Sequence, residues 1–551
     1  MGIKYFYSWH KKNFSSCFEF DVKDIDVLAI DLNGLFHNSA QKIFKYGNMN
    51  KYLNESKLHL LPKTNLTLYR EVCEKIEHLR NQINPSKKLI MCVDGVAGLG
   101  KIIQQRQRRF KSSATLKESC FDPNCFTPGT KIMDHLTKYI DWYIRTMITL
   151  NPHWQKIEVV FSNEKVPGEG EHKIINFIKK FCQPEDRICV YGHDTDLLLL
   201  GLIIPFQKFY ILRDQDVESI EFVNIDRFKK ELCGMLDWMD DKFEHKRAII
   251  DFVMISFLVG NDFLPNIPTL YILEGCFDLL VKVYKDVCKI NGHLTLESGQ
   301  HIVFNKASLA MFFLELGKLE KSVLENKYNS QQSFFPDPLI IKNMRLIDDR
   351  YSIDIDNYKI DYYESKFCHD RKIDRLIREY LNGMYWIINY YHHGIPDWNW
   401  FYPHHYGPFL SDFYSIIHNS FEYIEFNLNK PITPFLQLLM VLPKDSADLL
   451  PYPINKLLNP ESSLGRFFPE SFEIDFTGKY KEWEGVVIVP IIDVKKFIEE
   501  YMKHEKNISY SDRKRNIVGK NFIYKYDEFI CNFFRSFYGN IYECPVSIIS
   551  F

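Results

Sequence analysis

The sequence predicts an α/β fold: a parallel sheet with helices on both faces, to which a second mixed α/β block is added. Two observations predict it. Short apolar runs rich in β-branched residues recur between helical patterns, and several of those runs end in an acid. Strands buried on both faces of a parallel sheet read as such continuous apolar runs, whereas half-wet strands alternate.

The strands come in order. Val27-Leu28-Ala29-Ile30 leads into Asp31, and Leu89-Ile90-Met91-Cys92-Val93 leads into Asp94. Ile188-Cys189-Val190-Tyr191-Gly192 leads into His193, Asp194, Thr195 and Asp196. The further strand Glu158-Val159-Val160-Phe161 precedes Val166-Pro167-Gly168-Glu169-Gly170-Glu171-His172-Lys173, where two carboxylates separated by one glycine open a helical pattern. Asp262, in Gly260-Asn261-Asp262-Phe263-Leu264-Pro265, follows the mostly apolar stretch 249–259.

In open α/β sheets the ligand site lies beyond the carboxyl ends of the strands. Any one of these acids reads more simply as a helix cap or a carboxylate at the positive end of a helix dipole. Together on one sheet edge they repel one another at neutral pH unless cations neutralise them. Hard oxygen ligands select magnesium or manganese, and a pair of such ions is the composition of a two-metal phosphoryl-transfer site.

The segment after Asp94 supplies positive charge. On a helix, Lys101, Gln105, Arg108 and Arg109 fall on one face at i, i+4, i+7 and i+8, which suits a terminal phosphate. The loop before it is a decoy. Gly95 to Lys101 has the spacing of a nucleoside-triphosphate loop, but Ile102 stands where that loop needs Ser or Thr.

With these residues in place the chain resembles the Xrn family of 5′→3′ exoribonucleases. The motifs are Met1 to Phe6, Asp31-Leu32-Asn33 with His37-Asn38, Asp94 to Ala97, Gln104 to Phe110, Phe126 to Thr130, Pro167 to Lys173, Asp194-Thr195-Asp196 and Gly260 to Pro265. Trp398 to Tyr406 and Trp483 to Val487 resemble the family's second conserved block, so the likeness runs through nearly the whole chain. It implies a nuclease core like those of the PIN and flap-nuclease folds. It implies that Asp31, Asp94, Glu169, Glu171, Asp194, Asp196 and Asp262 bind two catalytic magnesium ions, with manganese as a substitute. It implies that Lys101, Gln105, Arg108 and Arg109 hold a 5′-monophosphate, and that His37 stacks on the first bases opposite Trp386, Trp398 or Trp400. The implied activity is processive, magnesium-dependent degradation of single-stranded RNA bearing a 5′-monophosphate to nucleoside 5′-monophosphates. Decapping or RNA-decay proteins are the implied partners, in the cytoplasm, with nuclear residence the second option.

Two departures stand out. Gly98-Leu99-Gly100-Lys101 replaces the family's Pro-Arg-Ala-Lys run, which predicts a looser loop. Phe551 follows soon after the second block, so the chain reads as a compact member without the long C-terminal extension.

Composition agrees with a folded enzyme: 551 residues, 46% hydrophobic, 15% aromatic, with a net charge of −2 that hides acidic and basic patches side by side. The 13 cysteines show no C-x-x-C pair or zinc spacing, and no apolar run is long enough to span a membrane. The expected division is a catalytic α/β domain over 1–316, a polar linker or surface excursion over 317–373, and the second block over 374–551. Two other classes compete: a flap-type structure-specific endonuclease, and a catalytically weak RNA-binding scaffold. The second is disfavoured because every expected metal ligand is Asp or Glu.

Overall fold

The computed structural model describes residues 2–47, 62–115, 121–214, 220–330, 333–367 and 372–551. Its centre is a nine-stranded sheet. In chain order the strands are β1 (Phe18–Glu19), β2 (Val27–Asp31), β3 (Lys88–Cys92), β4 (Glu158–Ser162), β5 (Ile188–Tyr191), β6 (Phe209–Asp214), β7 (Ile220–Asn224), β8 (Phe522–Tyr526) and β9 (Val546–Ser550). In space they run β1-β7-β6-β5-β2-β3-β4-β8-β9. Strands β6, β5, β2, β3 and β4 are parallel, while β7, β1, β8 and β9 extend the sheet antiparallel at its two edges.

The apolar runs are buried on both faces, as their composition requires. Val27, Ala29, Ile90, Val160 and Val190 point into one core, and Leu28, Ile30, Leu89, Val159 and Cys189 into the other. The helices that bear on the site are α1 (Phe6–Asn13), α2 (Leu32–Phe44), α3 (Asn65–Ile83), α4 (Leu99–Thr115), α5 (Lys131–Leu150), α6 (Gly170–Phe181), α7 (Asp196–Ile203), α8 (His245–Ser256), α9 (Ile373–His393) and α10 (Pro434–Val441). Helices α2, α3 and α5 cover one face of the sheet, and α1, α6, α7, α8 and α9 the other.

Helix α4 belongs to neither layer. Its apolar residues Leu99, Ile102 and Phe110 pack with α10 and with Phe467, Val487 and Phe497 in a third core. Arg106 ties this contact together. It is 1% exposed, donates to the Met440 carbonyl at 2.9 Å and to the Phe467 carbonyl, and lies over the rings of Phe110 and Phe468. Burial without a carboxylate lowers its guanidinium to about 9.

Residues 317–373 carry more structure than a linker. They hold helices Glu320–Asn329 and Ile355–Lys366 and the hairpin Met344–Ile347 with Arg350–Ile353, and they bury Leu324, Ile340, Ile353, Tyr358 and Tyr362. Their polar composition lies on the outer side of these elements, where Leu346, Ile347 and Ile360 are also exposed. The last strands of the expected second block, β8 and β9, extend the central sheet itself by pairing outward from β4.

Arg106→Ala should leave two buried carbonyls unpaired and cost about 3 kcal/mol of stability. A urea midpoint unchanged from wild type would show that α4 is held without it.

Candidate active site

The edge at which β2, β3 and β5 end collects the acids. Asp31 ends β2 and caps α2, accepting the Asn33 N–H at 3.3 Å. Asp94 follows β3, and its carboxylate accepts the Asn33 side-chain amide at 2.8 Å and the Gly170 N–H at 2.7 Å. A Cβ on Gly170 would lie 2.6 Å from Asp31 Oδ1 and 3.3 Å from Asp94 Oδ1, so the glycine between Glu169 and Glu171 lets α6 start against the other acids. Glu169 Oε1 accepts the Tyr390 hydroxyl at 2.8 Å from α9. Asp196 opens α7, and its Oδ1 is buried without a hydrogen-bond partner. Asp262 follows the one-turn 3₁₀ helix at the end of α8.

Burial and neighbouring acids raise several of these carboxylates. Burial, then Asp94 and Asp194, push Asp31 well above the usual carboxylate range. Burial and Glu169 do the same to Glu171, and burial with Asp262 raises Asp196 to about 7. Burial also raises Glu169 against the opposing pull of Lys101. Burial would raise Asp262 as well, but Lys101 outweighs it and holds this carboxyl low.

Lys101 pairs with the acids. Its ammonium lies between Glu169 and Asp262, 2.7 Å from the latter. It sits on the first turn of α4, one turn closer to the acids than Gln105, so the buried carboxylates capture it. Their charge raises its own ionisation well above normal although burial opposes this.

The remaining basic face is assembled. Gln105 and Arg109 are buried, and Gln105 accepts from Gln437 at 3.3 Å. Arg109 Nη1 is buried without a partner, and Arg108 is exposed beside it. His37 packs edge-on to Phe126 at 5.0 Å, and burial together with Arg108 and Arg109 lowers its imidazole to about 4, so it is neutral at pH 7. Trp386 is fully buried, stacked on Trp400 at 4.8 Å and against Phe263, which leaves it no face for a base. Trp398 is half-buried, and its carbonyl accepts the Leu99 N–H at the start of α4.

The glycine run before Lys101 is not loose. A Cβ on Gly98 would lie 2.8 Å from Ile395 Cδ1, and one on Gly100 would lie 3.1 Å from Phe263 Cδ1. The missing side chains are replaced by close contact with Ile395 and Trp400 of the second block and with Phe263.

Several participants escaped the sequence reading. Asn33 braces Asp94, and Lys173 donates to the Val93 and Asn163 carbonyls at 2.7 and 3.1 Å, fixing α6 to the strand ends. A Cβ on Gly2 would fall 2.1 Å from Asp196 Oδ1, so the second residue of the chain has to be glycine. The spacing of Asp31 and Asn33, and of Glu169 and Lys173 one helical turn apart, was the available signal.

The donor set is entirely oxygen, which fits hard divalent cations. Buried carboxylates with raised ionisation and an unpartnered Asp196 oxygen fit them too. Among the described residues no three such side chains converge into a ready-made ion cage, since Lys101 holds Glu169 and Asp262.

A parallel sheet whose carboxyl edge carries this acid cluster beside a basic helix defines the fold class of metal-dependent nucleases. Comparison with known proteins narrows it. A family model described as "XRN 5'-3' exonuclease N-terminus" matches residues 1–119 and 112–215, and one described as "Xrn1 helical domain" matches 242–343 and 342–542. The chain belongs to the Xrn family.

Among curated relatives, "5'-3' exoribonuclease 1" of Homo sapiens is 29% identical over 94% of this chain and 35% of its own length. The protein of the same name from Saccharomyces cerevisiae is 26% identical over 98% of this chain and 46% of its own length. "5'-3' exoribonuclease 2 homolog" of Drosophila melanogaster is 28% identical over 91% of this chain and 68% of its own. The chain therefore spans 35% and 46% of the human and yeast relatives. Among solved structures the catalytic core of Rad2 with DNA aligns at a TM-score of 0.31 and 15% identity, over 59% of this chain and 77% of that one.

In chelator, stability should fall as pH rises through 7. Asp196 is favoured as the neutral acid in the fold, so its contribution is complete below about 4 and is lost as pH passes its folded value of about 7. Magnesium should reverse the loss, by about 2.7 kcal/mol at a hundredfold excess over Kd. Thermal melts from pH 5 to 8 with EDTA and with magnesium test this, and a melting temperature indifferent to magnesium at pH 8 would count against the cation site.

Proposed function

We propose that this chain is a divalent-cation-dependent 5′→3′ exoribonuclease that degrades single-stranded RNA with a 5′-monophosphate processively to nucleoside 5′-monophosphates. The observation that carries the reading is the acid cluster lying against the basic face of α4, within a chain that the family models match over most of its length.

Asp31, Asp94, Glu169, Glu171, Asp194, Asp196 and Asp262 would hold magnesium ions, with manganese as substitute. Bound ions supply Lewis acidity and a water that is deprotonated near neutral pH. The chain's own residues supply position. Arg109, buried and with a free Nη1, takes the 5′-phosphate together with Arg108 and Gln105. With the end of the strand fixed there, only the first linkage reaches the acids, which makes the reaction exonucleolytic. Larger 5′ groups are refused because Arg109 and Gln105 are only 7% exposed.

His37 is neutral and offers a ring to the first bases, and Trp398 is the half-buried partner for the other side of the stack. Stacking accepts every base, since each has a π-face. Lys101 gives up Glu169 and Asp262 to the ions and turns toward the phosphate of the substrate. RNA-decay factors that produce 5′-monophosphate ends are the fitting partners, and a cytoplasmic location fits them. Among the described residues no helix is long and apolar enough to cross a membrane.

A 3′-labelled RNA bearing a 5′-monophosphate, triphosphate or hydroxyl tests the reading. Only the first should disappear quickly, without long intermediates, and only with magnesium. Internal fragments that ignore the 5′ group would mean an endonuclease. Asp194→Ala and Asp196→Ala should each lower the rate by roughly a thousandfold while RNA affinity, carried by phosphate contacts elsewhere, persists. Changing Arg108 and Arg109 together to Ala should reduce the preference for monophosphate ends by roughly 10- to 100-fold. Full preference in that variant would remove the pocket.

A further inference from the structure

A chamber of about 560 Å³ opens beside the acid cluster, with Asp262 and Thr195 at one end. Gln104, Gln107, Arg108 and Lys111 of α4 line one wall, and Arg109 is not on the lining. The first residues of the chain and the 475–487 segment form the others.

Its lysines are of two kinds. Lys327 and Lys366 are neutralised, by Glu274 at 2.7 Å and Asp475 at 2.5 Å. Lys4, Lys111 and Lys479 touch only neutral oxygens. Lys4 Nζ donates to the Glu484 carbonyl at 3.2 Å, and Lys111 Nζ to the Glu482 and Gly485 carbonyls at 2.9 and 3.3 Å. Lys479 Nζ reaches the Asn266 side-chain oxygen at 3.0 Å and the Tyr271 hydroxyl at 3.2 Å. Glu484 accepts the Tyr480 and Lys481 N–H groups at 3.0 and 2.9 Å and offsets part of the repulsion among the three lysines without bonding to any of them.

Three ammonium groups line a half-open space with no carboxylate bonded to them. Burial, then Lys479, lowers Lys4 to about 8, with Lys111 adding to the repulsion, and burial lowers Lys479 to about 8. An anion bound among them relieves both costs. Two further polar atoms on the lining, Gln104 Oε1 and Asn261 Nδ2, are buried without partners. Tyr271, Tyr406 and Trp483 provide ring surface.

We propose that this chamber binds a nucleoside 5′-monophosphate, its phosphate on Lys4, Lys111 and Lys479 and its base against the rings. Resting on the function proposed above, the ligand is the reaction's own product, leaving the acid cluster past Asp262. The volume is that of a small-molecule site. A phosphate monoester carries nearly two charges at pH 7, against one for each linkage of a strand, and so matches three lysines on one lining. Arg108 lines the chamber and Arg109 does not, so the two phosphates meet at Arg108 and differ in their other partners, the lysines for the product and Arg109 for the RNA end.

Calorimetry with the whole chain in EDTA, without RNA, tests this directly. Adenosine 5′-monophosphate should bind, adenosine should bind at least about tenfold more weakly, and Lys4→Met and Lys479→Met should each cost about tenfold, the worth of one charge-assisted hydrogen bond. Arg109→Ala, which removes only the 5′-phosphate pocket that the same nucleotide can also enter, should leave the lysine-dependent binding in place. The proposal falls if the nucleotide does not bind, or if Arg109→Ala abolishes binding while the lysine variants retain it. It also falls if those variants weaken binding of a long RNA and not of the nucleotide, which would give the chamber to the strand. Lys111→Met, checked by thermal melt, stands in should either of the other variants fail to fold. Nucleotide binding that behaves as expected in a protein inactive on RNA would fail the functional reading alone.

Discussion

Buried like charges repel strongly where water cannot screen them, and seven carboxylates share one end of this sheet. The surrounding structure is arranged to contain that repulsion. Asn33 and the Gly170 N–H stabilise Asp94, and Lys101 lies between Glu169 and Asp262. Lys173 spends its charge on backbone carbonyls. The compensation is partial: Asp31, Glu171 and Asp196 remain displaced toward the neutral acid. A centre left short of positive charge in this way is primed for cations and for the phosphates they bring.

The second block is part of that centre and not an accessory to it. Tyr390 on α9 hydrogen-bonds Glu169, and its ring stacks on His172 at 3.8 Å, in the same turn of α6. Helix α10 and Arg106 grip the far side of α4, so the helix that presents the basic face is held from outside the central sheet. The glycines at 98 and 100 make this possible by letting residues 395 to 400 approach the helix start.

The parallel strands were legible because both of their faces are apolar, and the acids because each follows such a run. The ion pairs of Lys101 were not legible, because helical spacing gives a face but not a neighbour, and Glu169 and Asp262, distant in sequence, decide where its ammonium rests. Trp386, Trp398 and Trp400 look alike in sequence, and only packing separates a stacked, buried ring from an available one. Residues 317–373 were read by composition, which registers their polar outer surface and not the few side chains, such as Tyr358 and Tyr362, that anchor them. Gly98 and Gly100 suggested looseness because a glycine in sequence does not reveal what fills the space beside it.

The pairing of β8 and β9 outward from β4 has a consequence for how the protein is made. A ribosome delivers the chain from its first residue, and the parallel core, with its acids, is complete in sequence long before residue 522 appears. Until then β4 presents an unpaired edge, the kind of surface that recruits stray strands, and the pairing that closes it joins residues far apart in the chain, which is slow to form. During synthesis the nascent protein thus passes through a stage that holds most of the acid cluster but not its closed sheet, and chaperones have most to protect there.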